Sequence, residues 1–292
     1  PGMHNQTVVI TGGSDGIGLD TARQLAGLGA SLVIVGRNAE KCARAVAAIQ
    51  GDGGNGGVDY LVADLSRMSA VRGLAESLLA RTPRIDVLVN NAGGLFRQAM
   101  ETPEGLDHTF ALNHLAYFLL TELLLPTMRA AGRGRIVNVA SGVHRGVDLD
   151  FDDLQSRRNH DGWLSYRRSK LMNVMFTYAL ARRLADTRIT ANSLHPGFVR
   201  SKFGHNNGGL YGIGLRLSQR LAAISVEAGA RTSVHLAAAD EVAGLSGRYF
   251  EKSREVESSP QSHDQAAQEE LWRHSADILA ELTQTPRSVP GG

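Results

Sequence analysis

The stretch TVVITGGSDGIG at residues 7–18 decides the fold of this chain. Its first five residues are apolar enough for a buried strand, and the glycines after them allow a tight turn into a helix. That helix is predicted over Gly18–Leu28, and a second apolar run, SLVIV at residues 31–35, follows it. A strand, a helix and a returning strand of these lengths form one β-α-β unit, in which the two strands lie parallel.

The alternation of strands and helices continues along the chain. Further strands are predicted at 59–63, 85–89, 135–140, 189–194 and 247–250, and further helices at 39–49, 68–80, on both sides of Asn113, around Tyr166, and at 226–239. Seven strands with crossover helices predict an α/β fold with a Rossmann-like, doubly wound, seven-stranded parallel sheet flanked by helices. In such a sheet, ligands bind at the carboxyl ends of the strands.

We expect a single domain, because no internal repeat and no linker rich in proline or serine divides the chain. Residues 3–250 are predicted to form the Rossmann-type domain that contains the ligand site. Residues 251–292 are predicted to be a C-terminal extension that packs on the same domain, as a loop followed by an amphipathic helix over Gln265–Leu282.

The composition excludes several classes of function. The 292 residues carry a formal net charge of only +2, without the basic block that nucleic-acid binding requires. The single cysteine, Cys42, allows no disulfide framework and favours a reducing compartment; we interpret it as a small residue of a surface helix. No apolar run approaches the ~20 residues that cross a bilayer, and no leader precedes the first strand, so we expect a cytoplasmic protein without a membrane partner. The ten histidines lack ligand spacing, so no metal site is predicted.

The glycine-rich turn at residues 11–18 is the first candidate ligand site. Glycines there let the backbone approach a pyrophosphate, whose charge the N-terminus of the helix stabilises. At the end of the second strand, NAD would need a carboxylate, whereas the guanidinium of Arg37 fits the 2′-phosphate of NADP. The carboxylate of Asp15 would repel the 2′-phosphate, which argues against NADP. Arg37 could also be a solvated charge at the strand end that binds no phosphate. NADP(H) is therefore the preferred cofactor, with NAD(H) as the alternative.

Tyr166 and Lys170 lie four residues apart in the run YRRSK, before an apolar pattern that is typical of a helix. Side chains at this spacing share one helix face. A positive charge close to a phenol lowers its pKa from about 10, which makes a tyrosine useful for moving protons. Tyrosine and lysine also occur at this spacing on solvated helices. Other motifs of the chain are therefore needed to identify the pair as a proton-transfer site.

Six features of this chain resemble the short-chain dehydrogenase/reductase family in order and spacing. They are TGxxxGIG at 11–18, NNAG at 90–93, Asn113, Ser141, YxxxK at 166–170 and PG at 196–197. The resemblance covers roughly residues 6–250. Within the family, the runs ALNHLAYFLLT at 111–121, RIVNVAS at 135–141, HPG at 195–197 and GRYF at 247–250 are similar to the retinol dehydrogenase and WW-domain oxidoreductase branch.

The resemblance implies an oxidoreductase that interconverts a carbonyl and an alcohol with a nicotinamide cofactor. It assigns the hydrogen bond to the substrate oxygen to Ser141 and the proton transfer to Tyr166. Lys170 would hold the nicotinamide ribose and lower the pKa of Tyr166, and Asn113 would position a water next to Lys170. Each residue also has a structural interpretation; Ser141 could cap a turn and Asn113 could satisfy backbone groups.

The same resemblance, together with the strand ends, assigns a cofactor site. Asp64 and Leu65 are expected at the adenine edge, and Val199 at the nicotinamide amide, while Ser201 stands where the family commonly has threonine. The predicted cofactor residues are Gly12, Ser14, Asp15, Gly16, Ile17, Gly18, Arg37, Asp64, Leu65, Asn91, Ala92, Gly93, Tyr166, Lys170, Pro196, Gly197, Val199 and Ser201.

Two segments are expected to line the substrate pocket. One is the connection between Ser141 and Tyr166, and the other is the glycine-rich stretch 202–221, which is studded with apolar residues and suits either a mobile lid or a plain surface loop. The predicted pocket residues are Val143, His144, Trp163, Phe198, Phe203 and Tyr211. Members of the branch act on lipophilic carbonyls. Only four of the 31 basic residues are lysines, which hints at a high-GC bacterial genome and makes a secondary-metabolite ketone an equal alternative.

Other functions and assemblies remain open at this point. A noncatalytic NADP-binding sensor or scaffold is the main alternative, although such proteins generally lose the tyrosine or the lysine. A sugar-nucleotide epimerase would favour a different glycine turn and a larger C-terminal domain. Family members usually pair through the helices that contain Asn113 and Tyr166, so a homodimer or homotetramer is expected. The long connection before Tyr166 could prevent that pairing.

Overall fold

A computed structural model describes residues 2–54, 56–197 and 225–284 of the chain. These ranges contain one sheet of eight strands in the order β3-β2-β1-β4-β5-β6-β7-β8. The strands are β1 (Thr7–Thr11), β2 (Ser31–Gly36), β3 (Val58–Val62), β4 (Val87–Asn90), β5 (Gly134–Val139), β6 (Ile189–His195), β7 (Tyr249–Glu251) and β8 (Arg254–Glu255). The helices are α1 (Gly16–Gly27), α2 (Ala39–Gly51), α3 (Met68–Arg81), α4 (His108–Phe110), α5 (Ala116–Ala130), α6 (Gly162–Arg183), α7 (Val226–Ala238) and α8 (Gln265–Gln284).

The predicted fold class is confirmed, with one strand more than expected. Strands β1 to β7 are parallel to their neighbours, and β8 is a two-residue antiparallel addition to β7. Because β8 is short and its two charged side chains are exposed, no apolar alternation announces it in the sequence. The strand order reverses at β1, which pairs with both β2 and β4. The carboxyl ends of β1 and β4 therefore border the crevice where such sheets bind ligands.

Alternating side chains of the strands build one core on each face of the sheet. Val9 of β1 belongs to the cluster that packs beneath α3, α5 and α6, whereas Val8 and Ile10 belong to the cluster beneath α1, α2 and α7. This division follows from the period of two in a strand, which sends neighbouring side chains to opposite faces. Both cores pack against the strands up to their carboxyl ends and so fix the turns that follow those ends.

The chain widens into a π-helical turn between α4 and α5. This turn spans Ala111–Leu115, and Asn113 lies at its centre with its side chain fully buried. Single π turns occur mostly at functional sites, because the extra residue turns side chains out of the regular helical row. The two helices predicted to flank Asn113 are therefore one nearly continuous helical segment with a local irregularity.

The C-terminal helix α8 packs on α5 and α6, the helices that were expected at a subunit interface. The ring of Trp272 lies 4.8 Å from that of Phe118 and 5.7 Å from that of Phe176. Arg183 of α6 lies 3.9 Å above the Trp272 ring and also pairs with Glu269. Part of the outer surface of α5 and α6 is thus covered by the chain itself.

Cys42 is a correction to the sequence interpretation. It is fully buried in α2 rather than exposed, because α2 turns a stripe of Cys42, Ala45 and Ile49 toward the sheet. A Cβ on Gly36 would lie 2.6 Å from its sulfur, so β2 and α2 are in close contact here. Within the described ranges, no helix combines the length and the apolar character that crossing a bilayer requires.

Candidate active site

The turns after β1 and β4 are joined by hydrogen bonds from Asn91. Its side-chain Nδ2 donates to the carbonyl of Thr11 at 2.9 Å and to that of Gly12 at 3.3 Å. In return, the hydroxyl of Thr11 accepts from the backbone N–H groups of Asn91 and Ala92, at 2.9 and 3.1 Å. Two motifs that lie about 80 positions apart in the chain therefore form one rigid floor at the centre of the sheet edge.

Glycine is sterically required in this floor. Gly12 and Gly16 have positive φ angles of 67° and 54°, which only glycine adopts without strain. A Cβ on Gly18 would lie 2.2 Å from the carbonyl oxygen of Gly12 and 2.5 Å from Asn91 Nδ2. The absence of these side chains leaves bare backbone beside the N-terminus of α1, which is the surface that a dinucleotide pyrophosphate needs. The glycine turn thus fits the cofactor.

The end of β2 carries two cations, of which only Arg37 was identified from the sequence. Arg37 is exposed directly after the strand, and Lys41 lies one helical turn later with its Nζ 3.8 Å from Asp15 Oδ2. Asp15 also accepts from the N–H of Gly16 at 2.9 Å as the N-cap of α1. Asp15 is therefore a capping residue paired with a cation. No local pattern in the sequence links it to Lys41, which lies in the first turn of α2.

Asp64 and Leu65 follow β3 at the same edge of the sheet. The carboxylate of Asp64 accepts from the N–H of Ser66 at 3.1 Å and from its hydroxyl at 2.7 Å, while Leu65 is buried in the core. These contacts shape the turn after β3 and hold the Asp64 side chain in one orientation.

Asn113 ties the turn after β4 to α6. Its Oδ1 accepts from the N–H of Gly94 at 2.9 Å, and its Nδ2 donates to the carbonyl of Gly94 and to Ser169 Oγ at 2.9 and 3.0 Å. The backbone carbonyl of Asn113 accepts from Asn173 Nδ2 at 2.7 Å. A Cβ on Gly93 would lie 3.1 Å from Asn113 Oδ1 and 3.5 Å from Lys170 Nζ, so the NNAG turn reaches the predicted catalytic side chains.

Lys170 is buried beside Tyr166 on the first half of α6. Its Nζ donates to the carbonyl of Val139 at 3.1 Å and to Asn173 Oδ1 at 3.4 Å, and it lies 5.7 Å from the centre of the Tyr166 ring. Burial in low dielectric penalises the ammonium and lowers the pKa of Lys170 to about 7. The charged form of Lys170 is therefore less favoured than that of an exposed lysine.

Tyr166 is hydrogen-bonded to Ser141. Burial raises the pKa of the Tyr166 phenol well above its ordinary value, and this side-chain hydrogen bond from Ser141 opposes that rise. The expected lowering of this pKa by Lys170 stays a prediction. Ser141 also caps the 3₁₀ turn Gly142–His144.

A buried polar network supports these residues from behind. Asn90 Nδ2 donates to Thr121 Oγ1 and to Asn138 Oδ1 at 3.1 and 2.9 Å, and Asn138 Nδ2 donates to Thr177 Oγ1 at 2.9 Å. Ser169 and Asn173 extend it to Asn113 and Lys170, and neither was identified from the sequence. The available signal was the presence of polar residues within the otherwise apolar run of α6.

The predicted pocket residues fall into three groups. Trp163 is 42% exposed and stacks on Tyr166 with the ring centres 5.9 Å apart, and Val143 is half-buried in the turn after Ser141. His144 requires a correction: it is fully buried, and backbone groups occupy both of its ring nitrogens. It therefore braces the fold and has no nitrogen left for a substrate.

The remaining predicted residues lie at or beyond the end of β6. Pro196 and Gly197 follow that strand, and Gly197 has a positive φ of 89°. Phe198, Val199, Ser201, Phe203 and Tyr211, and the whole stretch 202–221, lie outside the described residues. Among the residues that the structure describes, no group of three or more His, Cys, Asp or Glu side chains could hold a metal ion.

Comparison with known proteins points in the same direction as the geometry. The family model for short chain dehydrogenases matches residues 6–209. Human retinol dehydrogenase 14 is 39% identical over 290 residues, which cover 92% of this chain and 85% of that protein. Human polyprenol dehydrogenase is 33% identical, with 98% of this chain and 88% of that protein covered.

Solved structures share the fold over nearly the whole chain. An uncharacterised protein from Mycobacterium paratuberculosis superposes with a TM-score of 0.77 and 29% identity, over 96% of this chain and 95% of that one. A structure described as an NAD(P)-dependent gluconate 5-dehydrogenase from Beutenbergia cavernae, with NADP bound at low occupancy, has a TM-score of 0.68 and 26% identity over 85% and 95% of the two chains. The chain therefore belongs to the short-chain dehydrogenase family, in the branch of the retinol dehydrogenases, and is an oxidoreductase that acts on alcohol and carbonyl groups.

Proposed function

We propose that this enzyme uses NADP(H) to interconvert a carbonyl and a primary or secondary alcohol on a lipophilic small molecule, with Tyr166 as the proton donor. The observation that carries the proposal is the joining of Tyr166, Ser141 and Lys170 beside the glycine turn. Ser141 is hydrogen-bonded to Tyr166, Lys170 Nζ lies 5.7 Å from its ring centre, and all three side chains are buried.

The cofactor, when bound, supplies the hydride for reduction or accepts it in oxidation. The chain would hold it with the glycine turn at 12–18, the NNAG turn, Arg37 and Lys170. The proposed cofactor site also includes Asp64 and Leu65 at the adenine edge, and Pro196, Gly197, Val199 and Ser201 after β6.

The protein residues handle the charge on the substrate oxygen. In reduction, the hydroxyl of Ser141 donates a hydrogen bond to that oxygen while Tyr166 gives it a proton. Lys170 lies beside Tyr166 and is bonded to Asn173, which in turn holds Asn113. Together these residues keep the proton donor in one orientation, so that little reorganisation is needed when the proton moves. In oxidation the proton moves in the opposite direction.

The preference for NADP(H) over NAD(H) rests on charge at the end of β2. Arg37 is exposed there and offers a planar guanidinium, which binds a phosphate with two parallel hydrogen bonds. The carboxylate of Asp15, which argued against an anion, is paired with Lys41 at 3.8 Å. A carboxylate that already has a cation partner repels a 2′-phosphate less. The NADP in the Beutenbergia cavernae structure is consistent with this preference.

A lipophilic substrate is supported by the exposed indole of Trp163 next to Tyr166 and by the names of the relatives, which refer to retinol and polyprenol. A ketone from secondary metabolism remains the alternative that the composition suggested, although the similar curated retinol dehydrogenases come from mammals. Cytoplasmic location, a bacterial source, and pairing into a homodimer or homotetramer also remain proposals.

Loss of NADPH absorbance in the presence of lipophilic aldehydes, ketones and quinones tests the proposed function. We expect turnover with at least one class of these carbonyls and none with Tyr166→Phe, and we expect slower turnover when NADH replaces NADPH. An enzyme that binds NADPH but reduces nothing in a broad panel, and oxidises none of the matching alcohols, would contradict the proposed substrate class. Faster turnover with NADH would contradict the proposed cofactor.

A further inference from the structure

His144 connects the proposed catalytic serine to the C-terminal segment of the chain. Its ring is fully buried in the turn that follows Ser141, with the ring centre 5.0 Å from that of Tyr249. Nδ1 lies 2.7 Å from the carbonyl oxygen of Ser141. Nε2 lies 3.0 Å from the backbone nitrogen of Ser259, which is 115 positions further along the chain.

These two contacts require one tautomer of the imidazole. The N–H of Ser259 can only donate, so Nε2 must be the accepting nitrogen, and Nδ1 must carry the proton that it donates to the carbonyl of Ser141. Burial lowers the pKa of His144 to about 4, so the ring stays neutral at neutral pH. Arg145, Glu251 and His195 also contribute to the charge around the ring.

The loop that contains Ser259 is itself held in place. The hydroxyl of Ser258 lies 2.6 Å from Tyr178 Oη of α6 and 2.6 Å from Ser262 Oγ. Arg145 Nη2 donates to the carbonyl of Glu257 at 2.7 Å, and Gln268 Nε2 of α8 donates to the carbonyl of Ser262 at 2.6 Å. The N–H of Ser259 is therefore a fixed donor, able to hold the imidazole in one orientation.

We propose that His144 is a positioning residue for Ser141, and that Ser259 of the C-terminal segment is the anchor that orients it. The proposal rests on the catalytic role of Ser141 proposed above. By fixing the carbonyl of Ser141, His144 limits rotation of that residue and keeps its hydroxyl directed at Tyr166. Without this constraint, the hydroxyl of Ser141 is misplaced for part of the time, both for its hydrogen bond to Tyr166 in the free enzyme and for the one to the substrate oxygen in the reaction. Turnover then falls although the cofactor still binds.

Three substitutions of His144 separate its two contacts. In His144→Asn, the side-chain amide replaces the Nδ1 donor and leaves Ser259 without an acceptor, whereas in His144→Gln the longer side chain reaches Ser259 and gives up the donor to Ser141. His144→Phe removes both contacts and keeps the aromatic packing on Tyr249. We expect kcat to fall about threefold for Asn and at least about tenfold for Gln and Phe, a fraction of the roughly 10²–10³ that loss of a donor to the reacting oxygen costs. The Kd for NADPH should not change.

Ser259→Pro tests the anchor from its own side. Ser259 has φ −67°, which proline adopts without strain. The variant replaces the N–H donor by a Cδ that lies against Nε2, only 3.0 Å from the backbone nitrogen in the wild type, so the imidazole is displaced. It should lower kcat at least as much as His144→Gln. Tyr178→Phe is the matched control, because it removes a hydrogen bond to the same loop, at Ser258, and leaves both contacts of His144 intact. It should lower the melting temperature without lowering kcat.

Two further measurements distinguish positioning from a general loss of stability. The phenol of Tyr166 is isolated by subtracting the ultraviolet pH titration of the matching Tyr166→Phe protein, because the chain has six tyrosines. In the free enzyme it should ionise at a higher pH in His144→Gln and at an unchanged pH in Tyr178→Phe. In a Ser141→Ala background, His144→Gln should lower kcat no further, because the serine through which it acts has been removed.

The outcomes separate this proposal from the proposed function. Wild-type kcat and an unchanged Tyr166 titration in His144→Gln would overturn the proposal while leaving the function intact. The same would follow from an equal loss of kcat in the Ser141→Ala background, or from a loss in Tyr178→Phe as large as in His144→Gln. If His144→Gln does not fold, Ser259→Pro decides by the same criteria. An inactive wild type, or a Ser141→Ala variant with full activity, would instead contradict the proposed function, and the Tyr166 titration would still test the positioning.

Discussion

The two sides of the candidate active site are built by different means. The nucleotide side, residues 11–18 and 36–41, consists of backbone turns so close together that a Cβ on Gly18 would lie 2.2 Å from a carbonyl oxygen, with charges that stay exposed. The proposed catalytic side, Asn113, Ser141, Tyr166 and Lys170, consists of buried side chains whose hydrogen-bond partners lie up to 56 positions away. Steric fit therefore determines which residues the nucleotide side can contain. On the other side, burial determines the pKa values and the hydrogen bonds of the side chains.

Removal of the Tyr166 hydroxyl should have the largest effect, and it should act on the catalytic side alone. Tyr166→Phe keeps the ring that stacks on Trp163 and removes the proton donor, so we expect kcat to fall by about 10²–10⁴. The Kd for NADPH, measured by fluorescence titration, should stay within about twofold, in line with the separation of the two sides. A parallel loss of NADPH affinity would show that the two sides are not separate.

Gly18→Ala should damage the nucleotide side. The added Cβ would lie 2.2 Å from the Gly12 carbonyl oxygen and 2.5 Å from Asn91 Nδ2. The first contact is with backbone, and the second is with a side chain that hydrogen bonds to Thr11 and Gly12 hold in place. We expect the free energy of unfolding to fall by about 1–3 kcal/mol or more, and NADPH binding to weaken. Gly27→Ala is the control, since a Cβ there would meet nothing within 4 Å. Denaturant unfolding of both variants checks this. If Gly18→Ala is as stable as Gly27→Ala, the turn accommodates the added Cβ by a small backbone shift.

The buried histidine His144, which lies behind the proposed catalytic side, should make the stability of the protein depend on pH. The pKa of His144 is lowered by burial to about 4, whereas in the unfolded chain it is about 6.5. As the pH falls through 6.5 the unfolded state takes up a proton first, so the free energy of unfolding decreases from pH 6.5 down to about 4 and then levels off. The contribution of His144 is about 3 kcal/mol at most. His114, whose pKa burial lowers to about 3, acts in the same direction.

Urea unfolding of the wild type and of His144→Asn at several pH values between 7 and 4 isolates the part due to His144, because asparagine does not titrate. The variant should lose less stability than the wild type over this interval. Parallel curves for the two proteins would mean that His144 takes up its proton at the same pH in the folded and unfolded states.

Arg37→Asp should have the smallest effect and should be confined to the choice of cofactor. Loss of a charge-assisted hydrogen bond to the 2′-phosphate costs about 1.5–3 kcal/mol, so kcat/KM for NADPH relative to NADH should fall roughly 10- to 100-fold. Arg44→Asp provides the control, because Arg44 is exposed on α2 and pairs with Glu40 of the same helix at 3.9 Å. An unchanged cofactor ratio in Arg37→Asp would remove Arg37 from the site.

The contrast between the two sides also explains what the sequence could predict. Strand β1 was predicted at Thr7–Thr11 and is found there, and the other predicted strands differ by a few residues at their ends, because apolar runs bounded by turns are local signals. The glycine and NNAG turns come together at the sheet edge for a related reason. Parallel strands bring their carboxyl ends to one side.

The parts that sequence reasoning missed depend on contacts between distant segments. No local pattern pairs His144 with Ser259, and nothing near Lys170 in the chain reveals that burial brings its pKa to about 7. Lys41 was missed for the same reason, because its ion pair with Asp15 joins α2 to the turn after β1.

The bond between Ser259 and His144 has a consequence for the order of folding. Chains emerge from the ribosome N-terminus first, and early segments begin to fold before later ones exist. A nascent chain that ends before Ser259 already contains β1 to β8 and every proposed catalytic side chain, but the ring of His144 still lacks the donor to its Nε2. If His144 positions Ser141 as proposed, the candidate active site is completed during synthesis by a late segment that supplies none of the proposed catalytic groups.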